Sequence, residues 1–172
     1  RRVLFRSPTW ALTGATDRPR RIVNSLFLAP EELYAHNVHL KTKYDRIHRD
    51  ETRFECYRSS APGGADELAV VAFGTMARIV KSAIDDLGRE GRRVVLFRPI
   101  TLNPFPFGAC RALADSLPAG APVLTVEMNM GQMVVDVRAA MAGSRPVEFF
   151  GTAGGIVPSP DQVAARLRAL LG

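Results

Sequence analysis

The sequence has little of what most chemistry requires. Its two cysteines, Cys56 and Cys110, lie far apart and in no metal-ligand spacing, so neither a disulfide framework nor an iron–sulfur motif can be read from them. A reduced, cytoplasmic setting is the simplest inference. No apolar run approaches the length of a membrane span, which excludes a transmembrane helix from the reading. There is no nucleophile elbow, no Cys–His pair at a sensible distance and no clustered carboxylate pair. His36, His39 and His48 fall near one another but bring no fourth ligand, and are read as surface or boundary residues, not a metal site.

A net charge of +6 invites a nucleic-acid reading, and its distribution argues against one. The first 60 residues carry 12 Lys and Arg against 7 Asp and Glu, whereas the remainder carry 11 against 10. No basic stripe interleaved with aromatics supplies a stacking surface. Residues 1–7, Arg-Arg-Val-Leu-Phe-Arg-Ser, look foreign. They resemble the in-frame translation of a sequencing-adapter DNA and are set aside as a non-native scar. Without them 20 basic residues face 17 acidic ones.

What is present is a hydrophobic content of 47%, enough for one domain with a full core. Residues 8–62 read as a connector, packing through Trp10 and apolar pairs, followed by an amphipathic helix. Pro30 with Glu31 and Glu32 opens that helix, and Leu33, Leu40, Ile47 and Phe54 recur every seven residues. Ser59 to Gly64 is a linker by composition. Residues 63–172 change style. Apolar strands at 68–73, 93–97, 123–126 and 146–150 alternate with helices at 75–89, 107–117, 133–141 and 161–171. Short, continuously apolar strands between helices predict an α/β domain with a doubly wound, mostly parallel sheet covered on both faces.

In such a domain the carboxyl ends of the strands form the working edge. Gly74 and Thr75 open the first helix, with Thr75 as its expected cap and anion binding at the helix N-terminus as the alternative. Arg98 ends the second strand, placed for an anion or for pairing with Glu127. Glu127, Asn129 and Gln132 gather after the third strand, with Gly131 loosening the turn. Gly154, in Gly151-Thr152-Ala153-Gly154-Gly155, permits close backbone approach. These polar residues serve either the local turn or a docking edge. On residues alone the chain is a binding or accessory domain.

In this order, Ala72-Phe73-Gly74-Thr75-Met76-Ala77-Arg78, Phe97-Arg98-Pro99-Ile100-Thr101-Leu102, Pro104-Phe105-Pro106, Glu127-Met128-Asn129-Met130-Gly131-Gln132-Met133 and Glu148 to Pro158 resemble the carboxyl-terminal half of the alpha subunit of 2-oxoacid:ferredoxin oxidoreductases. The likeness extends upstream through the Asn37–Tyr44 helix and Trp10 to Gly14, and is strongest to the branched-chain, 3-methyl-2-oxobutanoate (2-oxoisovalerate) type. It implies a transketolase carboxyl-terminal-like domain. For the whole complex it implies thiamine diphosphate, Mg2+, an iron–sulfur cluster and coenzyme A, with beta and gamma/delta subunits as partners and ferredoxin as electron acceptor. This chain has neither the thiamine- and magnesium-binding motifs nor cluster cysteines, so no cofactor and no catalytic residue is assigned to it, and no membrane or nucleic-acid partner. Its implied role is docking, with Gly74, Thr75, Arg98, Glu127, Asn129, Gln132 and Gly154 as subunit-contact or active-site-rim residues. The alternatives are a 2-oxoglutarate or pyruvate member of the family, and a non-enzymatic nucleotide-binding or interaction module. Deleting residues 1–7 leaves the thermal midpoint unchanged if they are foreign to the fold; differential scanning calorimetry of both forms measures this.

Overall fold

The computed structural model describes residues 26–172. Residues 1–7, read above as a scar, and the part of the connector that holds Trp10 lie outside the described residues. Two units divide the chain, residues 1–43 and residues 44–172. Helix α1 (Pro30–Asp50) starts with Glu31 and Glu32 in its first turn and ends with His48 and Arg49 in its last, matching the helix dipole at both ends. None of its residues is fully buried. Phe54 does not extend the heptad stripe of this helix. It opens strand β1 (Phe54–Arg58), which the sequence reading did not expect.

The remaining elements follow as β2 (Leu68–Ala72), α2 (Gly74–Arg89), β3 (Val94–Pro99), α3 (Phe107–Asp115), β4 (Val123–Glu127), α4 (Met133–Met141), β5 (Val147–Gly151) and α5 (Pro160–Leu171). The sheet order is β1-β3-β2-β4-β5. The pairs β2–β3, β2–β4 and β4–β5 are parallel, and β1 adds an antiparallel edge to β3 with Phe54 opposite Pro99. The expected doubly wound, mostly parallel sheet is present, with a fifth strand recruited from the 8–62 segment. The Ser59–Gly64 segment is also anchored: the Ser59 hydroxyl donates to the Arg92 carbonyl (2.9 Å) and accepts from the Val94 amide (3.1 Å).

Strand alternation explains the two cores. Leu68, Val70, Ala72, Leu124 and Val126 face α2 and α5, whereas Ala69, Val71 and Val123 face α3 and α4. Beneath α2 and α5 the core is built from Val80, Ile84, Leu87, Val163 and Leu167; beneath α3 and α4 it is built from Phe97, Cys110, Val137 and Met141. A capping box starts α5: Ser159 Oγ accepts from the Gln162 amide (3.2 Å), while Gln162 Oε1 accepts from the Ser159 amide (2.9 Å).

The two cysteines sit in opposite environments. Cys56 is exposed on the edge strand; Cys110 is a buried residue of α3, and burial pushes its thiol up to about 12. A disulfide-exchange reagent at pH 8 therefore titrates one thiol per native chain and two after denaturation. Rapid reaction of both in the native protein would place Cys110 outside the core.

Candidate functional site

The chain runs from β2 to β3 on one side and then returns to place β4 on the other side of β2. The crevice between the carboxyl ends of β2 and β4 is thus the topological switch point, where α/β sheets place their ligands and contacts. Two adjoining depressions mark it. Phe73, Gly74, Thr75, Met76, Met128 and Asn129 line one of about 220 Å³. Phe73, Leu102, Glu127, Gln132, Met133 and Asp136 line the other, of about 160 Å³. Five of the seven residues singled out in the sequence therefore meet at one place, and Arg98 and Gly154 do not.

Glu127 organises this edge. It is fully buried, and all its partners are N–H donors. Asn129 Nδ2 lies at 3.0 Å and the amides of Gln132, Met133 and Val134 at 3.3, 2.8 and 2.8 Å. The carboxylate thus caps α4 from the preceding strand, where the helix dipole favours an anion. Asn129 Oδ1 accepts from the amides of Gly131 (2.7 Å) and Gln132 (3.2 Å), forming an Asx turn. Gly131, at φ +102°, supplies the left-handed step. A Cβ on Gly151 would meet the Asn129 carbonyl oxygen at 2.5 Å, so the β4–α4 loop can lie against β5 only because that residue is glycine. Glu127 and Asn129 thus both serve the local turn. Gln132 occupies the N-cap position without a side-chain cap bond and points its exposed side chain outward.

Two expectations are corrected. Arg98 does not pair with Glu127, because β2 separates their strands and the two side chains leave opposite faces of the sheet. Arg98 Nη1 instead meets Glu55 Oε1 at 2.9 Å, and Lys81 Nζ meets the same oxygen at 3.2 Å. The Arg98 guanidinium, and then the Lys81 ammonium, hold the Glu55 carboxyl below its ordinary value. Thr75 does not cap α2: Phe73 occupies the N-cap and no side chain bonds there, while Gly74 at φ +56° makes the turn. Gly154 takes φ +70° in the exposed β5–α5 loop, with nothing within 4 Å of a would-be Cβ, so within this chain it serves the turn.

The edge is also where the apolar surface lies. Among the described residues after α1, every exposed large hydrophobic is found there: Phe54 at the start of β1; Ile100, Leu102 and Phe107 around the β3–α3 loop; Met128, Met130 and Val135 around the β4–α4 loop; and Ile156 and Val157 in the β5–α5 loop. Met130 is 82% exposed. Helices α2 and α5 carry none of them, and α3 carries only its first residue, Phe107. Large exposed apolar patches are found at protein, membrane and ligand contacts.

A third cleft, of about 420 Å³, opens beside the second depression, among His48, Leu102, Asn103, Phe105, Phe107 and Asp136. The sequence reading passed over Asp136; an acid in the first turn of α4 is so well explained by the dipole that it drew no attention. Among the described residues, no three His, Cys, Asp or Glu side chains group to hold a metal ion. With one exposed and one buried cysteine, the chain also lacks the thiolates of an iron–sulfur cluster.

Comparison with known proteins gives these features a context. Residues 66–163 match the family model for pyruvate:ferredoxin oxidoreductase core domain II. The chain is 37% identical over 164 residues to the ketoisovalerate oxidoreductase subunit VorB of Methanothermobacter thermautotrophicus, covering 95% of this chain and 44% of that protein. To the 2-oxoglutarate synthase subunit KorA of Methanothermobacter marburgensis it is 30% identical over 104 residues, 60% of this chain and 27% of that protein. It thus spans less than half the length of the curated relatives it matches. The 2-oxoglutarate:ferredoxin oxidoreductase of Magnetococcus marinus, solved with 2-oxoglutarate, coenzyme A and succinyl-CoA, superposes with a TM-score of 0.70 over 85% of this chain and 24% of its own, at 19% identity. A split-gene transketolase, an inactive beta4 tetramer, superposes at 0.57 over 69% of this chain and 41% of its own, at 20% identity. These two share the fold.

Glu127→Ala leaves four N–H groups facing a cavity and costs about 3 kcal/mol or more, whereas Glu127→Gln keeps one acceptor and costs about 1–2 kcal/mol. Urea unfolding monitored by circular dichroism separates the two. Equal midpoints for wild type and Ala would show that the cap is not structural.

Proposed function

The chain belongs to the pyruvate:ferredoxin oxidoreductase core domain II family, and on that premise we propose that it is the carboxyl-terminal part of the alpha subunit of a branched-chain 2-oxoacid:ferredoxin oxidoreductase. The full complex would oxidise 3-methyl-2-oxobutanoate to its acyl-CoA and pass electrons to ferredoxin. The branched-chain assignment is supported by the greater identity and coverage against the ketoisovalerate subunit than against the 2-oxoglutarate subunit. When bound elsewhere in the complex, thiamine diphosphate with Mg2+ supplies the carbanion chemistry of decarboxylation. The described residues of this chain do not fit the thiamine–magnesium site or a cluster, and no step is assigned to them. A cytoplasmic setting agrees with this reading, and no described helix is long and apolar enough to cross a membrane.

The role of the domain within the complex is assembly. The observation that supports this is that, among the described residues after α1, the exposed large hydrophobic side chains gather at the carboxyl-terminal edge of the sheet. An apolar patch on one edge of a well-packed domain is stabilised by a second surface that excludes water from it. Docking there against the beta and gamma/delta subunits places the Gly74–Thr75 and Met128–Gln132 loops at that contact. Arg98 stands behind it, tying β1 to β3 and α2 through Glu55 and Lys81, and Gly154 shapes the loop that presents Ile156 and Val157.

The test uses the complete alpha subunit produced with its beta and gamma/delta subunits. The pair Met130→Asp and Ile156→Asp, both exposed, leaves the thermal midpoint of the isolated subunit within about 2 °C, since surface changes usually stay within ±0.5 kcal/mol. The same pair removes the complex from the gel-filtration profile and, with it, coenzyme A-dependent oxidation of 3-methyl-2-oxobutanoate. An intact, active complex would refute the assembly role. A higher kcat/KM for 2-oxoglutarate than for the branched acid would refute the substrate.

A further inference from the structure

At the apolar edge one carboxylate lines a cleft without a partner. Asp136 is half-buried in the first turn of α4 and makes no hydrogen bond or ion pair with the described residues. Its carboxylate lines both the 160 Å³ depression and the 420 Å³ cleft. It is the one carboxylate that lines the larger cleft, where His48, Thr52 and Asn103 add further polar groups. The opposite wall is apolar, with Leu102 and the Phe105–Phe107 pair in edge-to-face contact at 5.0 Å and 68°. Phe107 is 44% exposed and so leaves ring surface available. Hydrogen bonds tie the segment before β1, which carries His48 and Thr52, to the β3–α3 loop: the Arg53 amide donates to Thr101 Oγ1 (3.0 Å), and the amides of Ile100 and Thr101 donate to the Arg53 carbonyl at 2.9 and 3.2 Å.

From this we infer that the cleft is a socket for an arginine side chain of the docked subunit. The inference rests on the assembly role of this edge and names the chemistry of the partner that fits it. A guanidinium carries a planar fork of donors that a carboxylate accepts in pairs, and its face stacks on an aromatic ring. Its aliphatic stem covers apolar wall such as that of Leu102. Charge complementarity sets the sign. Covering this edge with an uncharged or acidic surface would bury the Asp136 carboxylate unpaired, which costs several kcal/mol; a cation entering the cleft offsets that cost.

The experiment is performed on the complete alpha subunit, with three variants measured against the beta and gamma/delta subunits. Asp136→Asn preserves shape and removes the charge. It is expected to weaken subunit affinity at least tenfold and to flatten the dependence of affinity on salt, and Asp136→Arg to abolish binding. N-acetyl-arginine amide is expected to shift the NMR amide signals of Asn103 and Asp136 in the isolated subunit, while its uncharged citrulline counterpart leaves them in place. Met130→Asp is the control for the edge as a whole. If Met130→Asp dissociates the complex and Asp136→Asn binds as wild type does, the socket is refuted and the docking role stands. If neither variant weakens the complex, the docking role falls with it. Shifts with arginine amide beside unchanged subunit affinity would assign the cleft to a free guanidinium ligand and overturn the inference.

Discussion

The working edge of this domain depends on one carboxylate. Glu127 is the last residue of β4, and it reaches across the following loop to accept three amides at the start of α4 and the amide group of Asn129. A buried carboxylate so placed does two things at once. It satisfies donors that the first helical turn leaves orphaned, and it fixes the angle between strand and helix. The loop between them is then determined at nearly every residue: Asn129 bonds within it, Gly131 takes a conformation few side chains allow, and Gly151 makes room for its backbone. What remains unconstrained are the side chains of Met128 and Met130, which are pushed outward. The rigidity of the polar interior thus produces an apolar exterior.

That division of labour separates the residues which hold the edge from those which would touch a partner. Glu127 and Asn129 face inward and are occupied. Arg98 is likewise occupied, bridging to Glu55 on the edge strand beside Lys81. Such pairs are partly exposed and are worth little individually, but their geometry keeps β1 in register against β3. Contact chemistry falls instead to methionine, isoleucine, valine and phenylalanine at the loop tips. Methionine in particular suits a surface that must adapt to another, because its side chain is unbranched and polarizable.

The strands and helices after residue 63 were legible in the sequence because a parallel sheet demands continuous apolar runs, and each run is followed by a helix with one apolar face. β1 was not. Phe-Glu-Cys-Tyr-Arg alternates as an edge strand should, but Phe54 also continues the seven-residue stripe of Leu33, Leu40 and Ile47, so the two periods competed over the same residue. The Arg98–Glu127 pairing failed for a topological reason: strand order and face are set by long-range contacts that linear spacing does not carry. The polar gathering at Glu127–Gln132 was visible, whereas its role as a cap was decided by a reach of seven residues to Val134. Asp136 was hidden by having an adequate local explanation.

The unpaired state of Asp136 constrains any account of this edge more tightly than the hydrophobic side chains do. Apolar surface accepts almost any apolar cover, so Met130 or Ile156 alone would say little about what binds. A carboxylate at the rim of the same surface does not accept any cover. In the isolated domain water solvates it; once that water is excluded, its interaction with a counter-charge strengthens, and so does the penalty for lacking one. Hydrophobic burial would then supply most of the affinity, while Asp136 selects which surface is allowed to deliver it.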